Sequence, residues 1–213
     1  MDTILIVDDH PLFVDGLQLM LSDLWEGVEI LSAHSVKEAK AILEQNAAID
    51  LIFLDLNMPG ECGRAMLNLH AEMMITAPVI VVSEYSTPEN VHQVLELGAS
   101  AFLSKNLAKT QMAECLRAIQ CGQIYLPPSV ELALQQYRNS VLLEYRAIES
   151  VLSARQKEIL VLLANGYSNA DIGDSLRISE STVKSHVSKI MNLFDVDNRT
   201  ACVAEAVRLG FLK

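Results

Sequence analysis

Residues Thr3–Pro11 read TILIVDDHP, a run of five apolar or β-branched residues that ends in two carboxylates. A short apolar run without alternation is typical of a strand buried on both faces of a parallel sheet. Four similar runs follow, with room for a helix between successive runs. The predicted strands are Thr3–Val7, Val28–Ser32, Asp50–Leu54, Pro78–Val82 and Ala101–Leu103. The pattern predicts an α/β fold with a doubly wound, five-stranded parallel sheet.

Helix start signals lie between these strands. Ser35–Glu38 has the pattern of a capping box, and Pro88 follows Thr87 at the first position of a helix.

After Gly122 the segment Tyr125–Pro128 interrupts the pattern of alternating strands and helices. Ser129–Ser150 then lacks strand and turn signals, which predicts a helical linker.

From Leu152 onward the pattern is helical throughout, with short breaks that indicate four helices. The sequence therefore predicts three segments: an α/β domain over 1–122, a helical linker over 123–150 and an all-α domain over 151–213.

Charge is distributed unevenly along the chain. The formal net charge is −11, with 8 Lys+Arg against 20 Asp+Glu in residues 1–149 and 8 against 7 in residues 150–213. The nearly neutral C-terminal part can still carry a basic face for nucleic acid. No apolar run reaches the ~18 residues of a membrane span, and the four cysteines form no Cys-x-x-Cys pair. We expect a cytoplasmic protein with reduced thiols and no membrane partner.

Polar residues gather where the predicted strands end. Because the carboxyl ends of parallel strands meet at one edge of the sheet, these residues should converge there. The residues are Asp8, Asp9, Asp55, Ser83 and Lys105.

Three neighbouring carboxylates favour a divalent cation with oxygen ligands, and few protein ligands favour Mg²⁺. The expected metal site comprises Asp8, Asp9, Asp55 and the backbone carbonyl of Asn57. Asp55 is the best-placed nucleophile toward phosphorus. Ser83 and Lys105 are the expected contacts of the resulting phosphoryl group.

These motifs resemble the receiver domain of bacterial response regulators over about residues 1–122. The resemblance rests on the motifs Val7–Pro11, Leu54–Gly60, Val82-Ser83 and Phe102–Lys105. It implies a flavodoxin-like strand order 2-1-3-4-5, phosphotransfer from a cognate histidine kinase onto Asp55, and an aromatic switch at Phe102.

The all-α part carries the pattern of two helices around a tight turn. Ser153–Gln156 is a capping box, and Ser168 can cap a helix in which Gly173 allows close approach of a neighbour. Arg177–Ser179 then turns into a third helix with a buried stripe of Val183, Val187, Ile190 and Phe194. On the opposite face, short hydroxyls and a lysine are suited to a DNA major groove.

This region resembles the LuxR-type helix-turn-helix of the NarL/FixJ subfamily over about residues 150–213, through the motifs Leu152–Arg155, Ala164–Asn169, Ile178–His186 and Val196–Thr200. The resemblance implies base reading by Lys184, Ser185 and Ser188 and dimerisation through Thr200–Leu209. The full set of expected DNA contacts is Thr182, Lys184, Ser185, Ser188 and Lys189. The expected partners are double-stranded DNA, the kinase and a second copy of the chain on phosphorylation or DNA binding, with RNA polymerase as a candidate.

We hypothesise how phosphorylation is coupled to DNA binding. Phosphate on Asp55 draws Ser83 toward it and lets Phe102 turn inward, and the linker transmits this change so that the recognition helix, which is the third helix of the all-α domain, is released. Two alternatives remain open. A Mg²⁺-dependent aspartyl phosphatase would explain the carboxylates, but Asn57 stands where such enzymes commonly have an acid/base Asp, so we expect a protein that is not an enzyme. A DNA-binding regulator independent of phosphorylation would use the receiver for dimerisation alone.

Overall fold

The computed structural model describes residues 3–45, 48–58, 61–84 and 86–212. Pro59 and Gly60, which belong to the motif after Asp55, lie outside the described residues. The chain divides between Gln135 and Gln136 into two compact units. Among the described residues, no helix is both long enough and apolar enough to cross a membrane.

The first unit is built on a parallel sheet. Its strands are β1 (Thr3–Val7), β2 (Glu29–Ala33), β3 (Leu51–Asp55), β4 (Asn57–Met58), β5 (Glu61–Cys62), β6 (Val79–Ser83) and β7 (Ala101–Ser104). The sheet order is β2-β1-β3-β6-β7, and every neighbouring pair is parallel. Numbered without β4 and β5, this is the predicted order 2-1-3-4-5, so the predicted fold class is confirmed.

Four of the five predicted strands end one residue later than expected, whereas β1 ends at Val7 as predicted. Asp55 pairs with Val82, and Ser83 pairs with Ser104, so both polar residues belong to the ladder. Backbone groups continue the ladder whatever the polarity of the side chain, whereas the sequence pattern stops at the first polar residue. The antiparallel pair of β4 and β5 was not predicted, because each of these strands has only two residues and two residues show no periodicity.

Five helices accompany these strands: α1 (Pro11–Leu24), α2 (Val36–Gln45), α3 (Gly63–Glu72), α4 (Pro88–Glu96) and α5 (Lys109–Gln120). Pro88 is the first residue of α4, as predicted, and the Thr87 side chain caps the helix by accepting a hydrogen bond from Asn90 N. The Ser35 hydroxyl likewise accepts from Glu38 N at 3.1 Å. The Glu38 carboxylate, however, accepts from His34 N at 2.7 Å, so the return contact lies one residue before the predicted one.

The core of this unit has two sides because side chains alternate along each strand. One side packs against Val14, Leu17 and Leu21 of α1 and Met112, Cys115 and Leu116 of α5. The sheet residues on that side are Ile4, Ile6, Leu51, Phe53, Ile80, Val82, Ala101 and Leu103. Residues that alternate with them, such as Leu54, Val81 and Phe102, are also buried. The sheet is therefore covered on both faces, as a doubly wound fold requires.

The helix α6 (Pro128–Val151) crosses from the first unit into the second. It is followed by the four predicted helices, α7 (Ala154–Ala164), α8 (Asn169–Leu176), α9 (Glu180–Leu193) and α10 (Arg199–Arg208). Capping boxes start α7 at Ser153 and α8 at Ser168. The apolar core of the second unit joins all four helices, and Val141 and Ile148 of α6 pack against it.

Candidate functional site

Five polar residues that the sequence places at strand ends meet at one edge of the sheet. Asp8 and Asp9 follow β1, Lys105 follows β7, and Asp55 and Ser83 are the last residues of β3 and β6. We call this cluster, together with the neighbouring His10, the acidic rim. Asp8, Asp55 and Ser83 are at most 2% exposed, so these polar groups depend on partners within the protein.

Lys105 is the main internal partner of the carboxylates. Its Nζ lies 2.7 Å from Asp8 Oδ2 and 2.9 Å from Asp55 Oδ2, and 4.8 Å from the centre of the Phe13 ring. Burial lowers the pKa of Lys105, but its hydrogen bonds to Asp8 and Asp55 and the charges of both carboxylates outweigh burial and raise the pKa. The side chain is therefore an ammonium group at neutral pH, and it holds the two buried carboxylates together.

Asn57 contacts the rim through its amide groups. Its backbone N donates to Asp55 Oδ1 at 3.1 Å, and its side-chain Nδ2 donates to Ser83 Oγ at 3.3 Å. These bonds tie the loop after β3 to the ends of β3 and β6. The predicted role of the Asn57 carbonyl as a metal ligand stays a prediction.

The donors of the rim fit a hard divalent cation. Three carboxylates and one ammonium leave a formal charge of about −2, which one divalent ion would balance. Asp9 Oδ1 is a buried oxygen that makes no hydrogen bond, although it lies 3.1 Å from His10 Nδ1. A buried acceptor without a donor is costly and favours a cation beside it. The same residues form a group in which the ligating atoms of Asp8, Asp9, His10 and Asp55 all lie within 4.8 Å of one another.

Phe102 is fully buried. It lies on the sheet face opposite α1 and α5, because it alternates with Ala101 and Leu103 along β7. The ring therefore belongs to the core in this conformation. The inward turn of Phe102 on phosphorylation, and its role as a switch, stay predictions.

In the second unit, α8 and α9 form the predicted pair of helices around a tight turn. The turn residue Arg177 has φ 55°, in the left-handed region. A Cβ on Gly173 would lie 2.8 Å from the Ile178 carbonyl oxygen, so glycine permits the close approach that the sequence predicted. On α9 the predicted stripe of Val183, Val187, Ile190 and Phe194 is buried in the core.

The predicted DNA contacts all lie on the exposed surface of α9. Lys184 pairs with Glu180 at 2.8 Å across one turn of the helix. The Thr182 hydroxyl lies 2.7 Å from the hydroxyl of Ser179, the N-cap of α9, so Thr182 takes part in capping. Ser185, Ser188 and Lys189 present their side chains to solvent.

Four cations of this unit are held by partners within the protein. Arg155 donates to the carbonyl of Leu176 at the end of α8, and Arg199 donates to the carbonyls of Leu163 and Tyr167 around the end of α7. Lys157 pairs with Glu149. Arg208 pairs with Glu144 and Glu205, and these hydrogen bonds raise its pKa. Among the described residues of the unit, the cations with neither an ion-pair partner within 4 Å nor a hydrogen bond to a backbone carbonyl are Arg138 and Arg146 of α6, Arg177 and Lys189. Of these four, only Lys189 lies on α9, and Arg177 lies in the turn before it.

The sequence reading missed His10 and Arg177. His10 is the N-cap residue of α1, and the signal for that position was Pro11, which favours the first turn of a helix. Arg177 was read only as a turn residue, yet it is exposed at the junction of α8 and α9.

Two family models match the chain. The model described as "Response regulator receiver domain" matches residues 4–117, and the model described as "Bacterial regulatory proteins, luxR family" matches residues 150–206. The first match covers the acidic rim, and the second covers α8 and α9.

Whole-chain relatives carry both regions. The chain is 34% identical to the glycerol metabolism activator of Pseudomonas putida, over 98% of this chain and 96% of that protein. It is 32% identical to the transcriptional regulatory protein DegU of Brevibacillus brevis, over 99% of this chain and 94% of that protein.

Solved structures show the same fold. The response regulator ChrA of a heme-sensing two-component system is similar with a TM-score of 0.51 and 28% identity, over 99% of this chain and 98% of that chain. RcsB from Salmonella enterica serovar Typhimurium, solved on promoter DNA with the phosphomimetic BeF₃⁻, has a TM-score of 0.57 and 24% identity, over 98% of each chain.

Proposed function

The chain belongs to the response regulators that join a receiver domain to a LuxR-type DNA-binding domain, and from this we propose that Mg²⁺-dependent phosphorylation of Asp55 by a histidine kinase controls its binding to double-stranded DNA and thereby transcription. The observation that carries the proposal is the contact of Lys105 Nζ with both Asp8 and Asp55 at the edge of the sheet. The proposed functional division is a receiver over 1–122, a linker over 123–150 and a DNA-binding domain over 151–213.

In the proposed reaction, a carboxylate oxygen of Asp55 forms a bond to phosphorus while the bond from phosphorus to the donor breaks. Asp8, Asp9 and Asp55 would hold Mg²⁺, which supplies charge neutralisation when bound. Lys105 is placed to stay with the product, because its ammonium group can pair with both carboxylate and phosphate oxygens. Ser83 would exchange its contact with Asn57 for one with a phosphoryl oxygen, and this exchange is the proposed first step of the switch.

The proposed DNA contacts divide by chemistry. Lys184, Ser185 and Ser188 would read base edges in the major groove, with Thr182 at the start of the same helix. Lys189 and Arg177 would contact phosphates, since both are exposed cations without an ion-pair partner among the residues that the structure describes.

We further propose that α10 pairs two copies of the chain on DNA or after phosphorylation, and that RNA polymerase is a candidate partner of the complex. Cytoplasmic location is part of the proposal, because a kinase, DNA and polymerase meet there in bacteria.

The proposal is tested by incubating the purified chain with Mg²⁺ and acetyl phosphate, then measuring intact mass and DNA affinity. We expect the mass of one phosphoryl group to be added to the wild type and to Asp15→Asn, which changes an exposed carboxylate of α1. Asp55→Asn should gain no such mass, and its DNA affinity should not respond to the phosphodonor.

The alternative regulator, independent of phosphorylation, predicts a different result. DNA affinity would then be the same for wild type and Asp55→Asn, with and without the phosphodonor. A wild type that gains no phosphoryl group from any donor or kinase, yet binds DNA, would overturn the proposal in favour of this alternative.

A further inference from the structure

The edge of the sheet at β7 is covered by the segment of the chain that precedes α6. β7 is the last strand in the order of the sheet, and Tyr125 forms a single parallel bridge with Ala101 beside it. Tyr125 N donates to the carbonyl of Ser100 at 3.0 Å, and Phe102 N donates to the carbonyl of Tyr125 at 3.2 Å. We call residues 123–127 the strap, because they tie the start of α6 to the edge of β7.

The Tyr125 side chain attaches the strap to α5 as well. Its ring packs against the core between the sheet and α5, and its hydroxyl donates to Glu114 Oε2 of α5 at 3.0 Å. Burial, together with this hydrogen bond, raises the pKa of Tyr125 to about 12, so the hydroxyl is protonated and can donate at neutral pH. Tyr125 therefore joins the strap to both β7 and α5.

The sequence keeps this pairing short. Gly122, with φ 68°, turns the chain at the end of α5, just before the strap. Pro127 and Pro128 have no backbone N–H, so the ladder of hydrogen bonds cannot continue along them. The carbonyl of Pro127 accepts from Val130 N and Glu131 N of α6, so the helix begins where the strap ends. A pairing this short can open without unfolding the sheet.

The strand that holds the strap leads directly to the acidic rim. Lys105 follows β7, and its Nζ lies 2.9 Å from Asp55 Oδ2. In the proposed reaction Asp55 becomes bonded to phosphorus, and Lys105 shifts to the phosphoryl oxygens. Phe102, which donates to the strap, is only three residues before Lys105. Its bond to Tyr125, at 3.2 Å, is at the long end of the usual range, so it resists a shift of β7 weakly.

We propose that the strap opens when Asp55 is phosphorylated and thereby passes the state of the acidic rim to α6. This inference rests on the proposed function and names the segment through which the receiver would control the linker. With the strap closed, the start of α6 is fixed to β7 and α5. With the strap open, α6, which enters the second unit, is free to move. Phosphorylation and opening of the strap then favour each other.

The test uses Tyr125→Phe in the full chain, which removes the hydroxyl bond to Glu114 and keeps the ring. Without a phosphodonor, we expect faster hydrogen exchange in peptides that cover the strap and DNA affinity about fivefold higher than that of wild type, the factor for one ordinary hydrogen bond. The variant should still gain one phosphoryl group from Mg²⁺ and acetyl phosphate. The same treatment should make hydrogen exchange in the strap of wild type faster.

Two changes at Glu114 and one control show whether the bond itself matters. Glu114→Ala removes the acceptor and should act as Tyr125→Phe does, whereas Glu114→Gln keeps an acceptor and should remain close to wild type. Tyr145→Phe removes a tyrosine hydroxyl in the second unit, keeps the ring that stacks on Phe211, and should change neither hydrogen exchange in the strap nor DNA affinity.

The mass measurement separates failure of this inference from failure of the proposed function. If wild type gains the phosphoryl group but hydrogen exchange in the strap does not change, the inference is overturned and the proposed function stands. The same conclusion follows if Tyr125→Phe and Glu114→Ala bind DNA and respond to the phosphodonor as wild type does. If wild type gains no phosphoryl group from any donor or kinase, the proposed function fails and the inference fails with it.

Discussion

The acidic rim and the exposed face of α9 are both made of polar side chains, yet the two regions differ in burial. In the rim, Asp8, Asp55 and Ser83 are almost fully buried and are bonded to Lys105 and Asn57. On α9, the residues proposed to contact DNA are exposed. Their interactions within the protein are local: the hydroxyl of Thr182 contacts that of Ser179 at the N-cap, and Lys184 forms an ion pair with Glu180 one turn away.

This difference shows where each site finds its partners. A buried carboxylate must be matched inside the chain, so the rim is already assembled before any ligand binds. An exposed hydroxyl or lysine is satisfied by water, so Ser185, Ser188 and Lys189 need no internal partner and would gain one only on binding DNA. Substitutions in the rim should therefore change the stability of the fold, whereas substitutions of these three exposed residues should change binding alone.

The largest effect is expected for Gly63→Ala, at the start of α3 beside the rim. A Cβ there would lie 2.3 Å from the Asp55 carbonyl oxygen and 2.7 Å from Leu56 Cα. Both neighbours are backbone atoms that cannot rotate away, so we expect a loss of about 3 kcal/mol in the free energy of unfolding. Urea unfolding followed by the fluorescence of Trp25, the chain's single tryptophan, measures it in the first unit.

Gly16→Ala is the matched control for this substitution. A Cβ at Gly16 meets nothing within 4 Å, and alanine favours the interior of α1, so we expect a gain of about 0.5–1 kcal/mol. If both variants shifted the urea midpoint alike, the close approach of α3 to the end of β3 would be wrong.

A smaller but still clear loss is expected for Lys105→Met, which leaves Asp8 and Asp55 buried without their shared ammonium group. Removing one partner of a buried ion pair is costly, and the opening of the rim to solvent moderates the cost to about 2 kcal/mol. Because the folded pKa of Lys105 is raised, its contribution is fully present below its usual pKa and is lost as pH rises through the folded value. The difference in urea stability from wild type should therefore be constant from pH 7 to pH 9.

Lys109→Met is the comparison for the charge alone. Lys109 pairs with Asp23 at the surface, with both side chains at least half exposed, and an exposed pair contributes about 0–1 kcal/mol. Equal losses for the two lysines would show that the rim is not the buried, internally matched site described above.

The sequence was sufficient to predict five of the six residues of the rim, all but His10, because each of those five is tied to a strand end. Asp8, Asp55 and Ser83 follow apolar runs, and the topology of a parallel sheet then brings them to one edge whatever the details of packing. The same reasoning applied to α9, where the apolar stripe of Val183 and Val187 fixed which face is buried. Periodicity therefore predicts faces and edges well.

Features that depend on side-chain direction could not be predicted in this way. His10 lies in the rim because α1 begins directly after it. The hydrophobic periodicity of a helix does not specify the direction in which the residue before its first turn points. Arg155 and Arg199 are cations of the second unit, and each donates to backbone carbonyls at a helix end. Only the folded backbone shows which carbonyls lack a donor, so the engagement of these two arginines within the protein could be recognised only in the structure.

The smallest change in stability and a specific change in binding are expected for Lys189→Ala on α9. Lys189 is exposed and has no ion-pair partner in the described part of the second unit, so its loss should leave urea stability within about 0.5 kcal/mol of wild type. If it contacts a phosphate, the slope of log affinity for duplex DNA against log salt concentration should fall by about 1. Fluorescence anisotropy with a labelled duplex over a salt series measures this slope.

Lys157→Ala is the control for this substitution. Lys157 already pairs with Glu149, so its loss should leave the slope unchanged. An unchanged slope for Lys189→Ala would remove this residue from the DNA interface and leave Arg177 as the other cation proposed to contact phosphate.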